Sequence, residues 1–172
     1  MDFRRVNLTQ TYLHVLDLSL SNFRNANLRE TNFTSSNLSK ADLRDATFKG
    51  TIFRLTDLSN ANLAGADLTK AKFEDADLCG ATLAGADLRG VDFSGMDLSR
   101  ANLCNADLRG SNLNGVDLNR TNLSEANLSK MDFREVGLGT TNLSSAILHG
   151  ANLHGVDLRG TNLKSADLTK AD

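Results

Sequence analysis

The stretch GADLRGVDFSGMDLSRANLCNADLRG, residues 85–110, decides the fold. Leu or Phe returns at 88, 93, 98, 103 and 108, a spacing that suits neither a helix, which repeats every 3.6 residues, nor a strand, which repeats every two. Extended in both directions, this central row runs from Phe3 to Leu168 through thirty-four positions without exception and takes in all eight Phe residues of the chain. A row that selects so consistently for large apolar volume points inward.

Two residues before the central row lies a second row of small or apolar residues, Ala at sixteen of thirty-five positions and otherwise Thr, Val, Ser, Met or Leu. It also faces in. The residue between the two rows is Asp fifteen times and Asn thirteen times, so it sits on the opposite side of a short extended segment and faces water. The last two residues of most units are polar or Gly, and eleven of the thirteen glycines occupy the second of them. A turn whose third residue is Gly or Asn has the signature of type II, with positive φ at that residue. Each unit therefore reads as a strand of two or three residues followed by a tight corner.

One such unit buries little by itself, so units must stack, as in a solenoid. If four corners close a coil, the period is twenty residues. Phe33, Phe53, Phe73 and Phe93 then fall on one face with Phe133, while Asn22, Asn62, Asn102, Asn122, Asn142 and Asn162 fall on another. Units such as MDLSR (96–100), ANLCN (101–105) and ADLRG (106–110) resemble the A-(D/N)-L-x-x repeat of pentapeptide-repeat proteins, and the resemblance covers essentially the whole chain. It implies an all-β fold: a right-handed quadrilateral parallel β-helix, four pentapeptides per 20-residue coil, about 8.5 coils, residues 1–172 forming a single domain. At a strand spacing of about 4.8 Å the rod would be roughly 40 Å long.

Departures from the repeat are few. Tyr12, Thr47, Ile52, Lys72, Thr82, Gly137 and Ile147 replace Asp or Asn in the outward row. In VGLGT, 136–140, glycines flank Leu138, which either kinks the coil or is neutral. The repeat phase continues beyond it.

Composition excludes several functions. The formal net charge of −2 gives no overall pull toward nucleic acid or an anionic membrane, and no apolar run approaches the length of a membrane helix. A cytoplasmic protein without membrane or nucleic-acid partners is expected. Cys79 and Cys104 lack zinc, redox or disulfide spacing. His14, His149 and His154 occupy corners, no phosphate loop is present, and no Ser is paired in sequence with a base and an orienting group. The expectation is a non-enzyme with no catalytic residues, cofactor or metal.

Charge is nevertheless patterned. The outward row carries fifteen Asp and one Lys, whereas the corners carry eighteen Lys or Arg against six acidic residues. Asp57, Asp77, Asp97 and Asp117 line up as an acidic column, which nearby corner cations are expected to offset. Tyr12, Val15, Ile52, Arg54 and Leu55 form the candidate partner-binding patch, with His14 beside them and Asn32 between Tyr12 and Ile52. These features favour a non-catalytic interaction or scaffold module that displays side chains on a rigid rod to a protein partner. The alternative comes from the resemblance, since some pentapeptide-repeat proteins mimic DNA and protect type II topoisomerases. Interrupting Arg and Lys residues, such as Arg29, Lys49, Arg89 and Arg109, rank it second. Uncovered terminal coils are expected to associate end to end or to meet a neighbouring domain.

Overall fold

The computed structural model describes residues 1–172 throughout. All twenty-five ladder pairings are parallel and join residue n to residue n+20, from Asp2 with Asn22 to Ile147 with Asp167. The twenty-residue register never slips. Four pentapeptides separate each pair, so the chain winds as a parallel β-solenoid with four faces. Their central residues are Phe3, Phe23 and Leu43 onward for the first face, Leu8 onward for the second, Leu13 onward for the third and Leu18 onward for the fourth.

The strands are shorter than the repeat alone suggests. Only the Asp/Asn-row residue of each unit is laddered, because a turn occupies the two corner residues of every pentapeptide. The corners are left-handed as expected: eleven glycines and twenty other residues, among them Gln10, Leu20, Leu55 and Arg120, have φ between 54° and 85°. The turns close with a bond from the next unit's first N–H to the central carbonyl, as from Ala106 to Leu103 at 3.1 Å, except that Leu16 N–H donates instead to Ser36 Oγ at 3.2 Å.

The two inward rows fill the interior. Forty-five buried apolar residues form one continuous core, and Phe33, Phe53 and Phe73 stack along the third face with ring centroids 5.6 and 5.3 Å apart. Buried threonines complete the lining by donating to the carbonyl twenty-three residues earlier, as Thr51 does to Leu28 at 2.7 Å and Thr121 to Leu98 at 2.8 Å. A hydroxyl is thus buried with its hydrogen bond made.

Some rungs are missing. Lys72/Asp92, Asp77/Asp97 and Asn112/Asp132 are unpaired, and at all three the inward residue steps from small to large: Ala71 to Val91, Ala76 to Met96, Ser111 to Met131. A larger side chain in a cross-section of fixed width lifts the coil above it. Thr47/Asp67 and Gly137/Asp157 are also unpaired. At VGLGT the solenoid loosens locally: Gly137 keeps its rung to Asp117, while the corners at Glu135 and Thr140 lack the positive φ of their counterparts. The phase is kept. No helix is long and apolar enough to cross a membrane.

Candidate functional site

The outward row has a structural duty beyond facing water. Its Oδ1 accepts the backbone N–H two residues later, as Asn122 does from Ser124 at 3.1 Å and Asp97 from Ser99 at 2.7 Å. This side-chain turn satisfies a corner donor, which explains why Asp and Asn alternate freely while other types are rare. On the first face the amides also bond to one another: Asn122 Nδ2 donates to Asn102, Asn142 to Asn122 and Asn162 to Asn142, at 3.1, 2.9 and 2.9 Å.

Where Arg follows Asp by two residues, the same carboxylate holds the guanidinium with two further bonds. Arg109 donates from Nε to Asp107 Oδ1 at 2.9 Å and from Nη2 to Oδ2 at 2.6 Å. Asp2–Arg4, Asp42–Arg44, Asp87–Arg89, Asp132–Arg134 and Asp157–Arg159 repeat the arrangement. Hydrogen bonding from each Arg holds the Asp42, Asp87 and Asp107 carboxyls below the usual carboxylate range, and that of Asp2 down to about 2. These pairs are neutralised within one repeat.

The acidic column is different. The corner residues following Asp57, Asp77, Asp97 and Asp117 are Ser59, Cys79, Ser99 and Asn119, and each carboxylate accepts only the backbone N–H of that residue, at 2.7–2.8 Å. No Lys or Arg forms an ion pair with any of the four. The offset by corner cations operates in the Asp-x-Arg units and not along this column.

The apolar patch lies on the first three coils. Asn32 is paired with both Tyr12 and Ile52, so the three stand in one column of the third face. Tyr12 is 74% and Val15 73% exposed, Leu55 is also exposed, and Ile52 is half-buried. The Tyr12 ring meets His14 edge-on, with centroids 6.4 Å apart, and Arg54 Nε lies 3.6 Å from Glu74 Oε2. Sequence reasoning missed Leu20, which is 72% exposed at a corner with φ 57°. The signal was available: Val15, Leu20 and Leu55 are the only branched apolar residues at the second corner position.

Clefts elsewhere are shallow. One of about 900 Å³ is lined by Arg4, Arg5, Arg24, Arg44 and their Asp and Asn neighbours, with no apolar side chain. Another, of about 500 Å³, opens at the missing Lys72/Asp92 rung. Cys79 and Cys104 are free thiols, and Cys79 Sγ lies 3.4 Å from Ser99 Oγ. His149 Nδ1 contacts Thr169 Oγ1 at 3.2 Å. No group of three or more His, Cys, Asp or Glu is placed to hold a metal ion.

The family profile described as Pentapeptide repeats matches residues 2–39, 17–54 and 56–95, and that described as Pentapeptide repeat region matches 86–163. Among curated proteins none is significantly similar to the chain. Among solved structures, HetL from the cyanobacterium Nostoc, a pentapeptide repeat protein involved in heterocyst differentiation regulation, is 32% identical over 97% of this chain and 89% of its own, with a TM-score of 0.50. A pentapeptide repeat protein of the Arabidopsis thaliana thylakoid lumen is 33% identical over 62% of this chain and 67% of its own, with a TM-score of 0.32. QnrB1, a plasmid-mediated fluoroquinolone resistance protein, is 22% identical over 94% of this chain and 85% of its own, with a TM-score of 0.41. From its unbroken five-residue rows, its twenty-residue register, the two family profiles and the match to HetL, the chain belongs to the pentapeptide-repeat family.

Proposed function

We propose that this chain is a non-catalytic protein-binding module, a right-handed rod of about eight and a half coils that binds its partner through the third face of its first three coils. The observation that carries this reading is the clustering of exposed Tyr12, Val15 and Leu55 with half-buried Ile52 on the first three coils, where Leu16 and Leu20 are exposed as well. An aromatic and branched apolar residues beside an Arg have the composition of a binding hot spot. The same coils are basic: residues 1–55 hold eight Lys and Arg against five Asp and Glu, whereas 56–172 hold eleven against sixteen. The partner chemistry that fits is an acidic protein segment bearing apolar anchors, drawn in by charge and held by the patch. The test is the double variant Tyr12→Asp, Ile52→Asp, checked by circular dichroism to keep its fold. A partner identified by cross-linking to these coils should lose its affinity for the variant, and wild-type binding should weaken with salt. Unchanged affinity moves the functional surface elsewhere on the rod.

The unpaired Asp57–Asp117 column favours a second reading, mimicry of a phosphate backbone toward a topoisomerase. Residues 56–98 carry eight Asp and Glu against three Lys and Arg, a local negative potential of the kind such an enzyme surface attracts. Gyrase supercoiling with and without the protein separates the two readings, since a module that binds through the apolar patch leaves the reaction unaffected.

A further inference from the structure

The corner at Asn114–Gly115 combines features found together nowhere else in the molecule. Of the eighteen asparagines, Asn114 alone precedes a glycine. Thirteen others lie in the outward row and are followed by buried or half-buried Leu or Phe of the core row. Asn114 and Gly115 are both exposed, and the Asn114 side chain makes no hydrogen bond.

The peptide plane between them is held from one side only. Corners such as those at Gly80 and Gly85 are tied to both adjacent coils: their N–H groups donate to the Ser99 and Cys104 carbonyls at 2.9 and 2.8 Å, and the Cys79 and Ala84 carbonyls accept from Asn60 and Gly65, both at 2.9 Å. Gly115 N–H has no acceptor, because the coil above is lifted where Asn112 and Asp132 fail to pair. Ser111 of the same unit is buried with its hydroxyl unpartnered. Only the bond from Gly95 N–H to the Asn114 carbonyl, 2.9 Å, anchors the plane. A Gly nitrogen carries no Cβ beside it to hinder attack, and Gly115, at φ +67°, has the backbone freedom to swing.

We propose that Asn114–Gly115 is a spontaneous modification site at which the asparagine amide is converted to a carboxylate through a cyclic imide. The Gly115 nitrogen gives up its proton and bonds to Asn114 Cγ, the Cγ–N bond breaks and ammonia leaves with the proton. Water then opens the imide at either carbonyl, giving aspartate or isoaspartate, and nothing is oxidised or reduced. Opening toward isoaspartate lengthens the main chain of one pentapeptide and places a new charge below Arg134, with Asp132 and Glu135 lining the same recess.

The experiment incubates the native protein at mildly alkaline pH, digests it after Lys and Arg, and follows peptide 110–120 by mass and by isoaspartate methyltransferase labelling, with a urea-unfolded sample alongside. The expected result is conversion confined to 110–120, within about tenfold of the unfolded rate, because attack needs only a local opening. The Asn114→Gln variant should abolish it. Suppression by roughly a thousandfold or more, the factor expected if attack waited for global unfolding, overturns the proposal. So does faster conversion in peptide 101–109, which contains Asn102 and Asn105.

Discussion

Phe33 and Phe53, twenty residues apart in sequence, lie face to face with ring centroids 5.6 Å apart and planes inclined by 5°. Neither ring has a route to solvent, and each is supported above and below by the next coil. Phe53→Ala should therefore destabilise the protein by about 3–5 kcal/mol, since the backbone ladder prevents the walls from closing on the cavity. Arg109→Ala removes a side chain that is 48% exposed and should cost far less than Phe53→Ala, because its ion pair is screened by solvent. Urea denaturation of the two variants measures the contrast.

Asp57, Asp77, Asp97 and Asp117 stack without counterions, and like charges one rung apart repel by roughly 1 kcal/mol per pair in a water-like dielectric. Asn accepts the same backbone bond without the charge. Changing all four to Asn should raise the thermal midpoint at low ionic strength, with the gain shrinking as salt is added. A lower midpoint would mean that the carboxylates have a stabilising role.

Acid should loosen the rod through its Asp-x-Arg units. The Asp42, Asp87 and Asp107 carboxyls lie below their ordinary value of 3.8 in the folded chain, chiefly because of hydrogen bonds from Arg44, Arg89 and Arg109. A depressed folded value means stability that is present above the unfolded value and lost as pH falls through the folded one. Thermal midpoints should hold steady near neutrality and decline from about pH 5 downward. The triple Asn variant at these positions should flatten that decline.

Glycine corners differ in what they can accept. At Gly85, φ +68°, an added Cβ meets nothing within 4 Å, so Gly85→Ala should cost only the left-handed conformation, about 1–2 kcal/mol. At Gly160 the same atom would lie 2.5 Å from the Gly139 carbonyl oxygen. Gly160→Ala should lower the melting temperature more, despite its exposure.

Periodicity made the architecture readable before any coordinates. The core rows, the corner φ and the Phe column all follow from residue type at fixed spacing, because each repeat meets the same environment as the one before it. What stayed hidden depends on comparing residues a coil apart. Ala71 and Val91 are both acceptable inward residues, and only their superposition costs a rung. In the same way, Asp107 and Asp77 are indistinguishable within the outward row until the residue two places on, Arg109 or Cys79, decides whether the charge is paired. Leu20 falls outside a patch centred on Tyr12 and Ile52, because it stands at the corner that ends the fourth-face unit, one pentapeptide beyond Val15.

The unbroken register also limits how such a chain can change length. Inserting or deleting one to four residues would throw the apolar rows out of the interior. Five residues would restore the rows but turn everything downstream by one face, so that Tyr12 and Ile52 would no longer share a column. Only a change of twenty keeps both interior and exterior in place. Relatives that retain a surface patch while differing in length should therefore differ by whole coils, with their surplus repeats falling between patches and not within them.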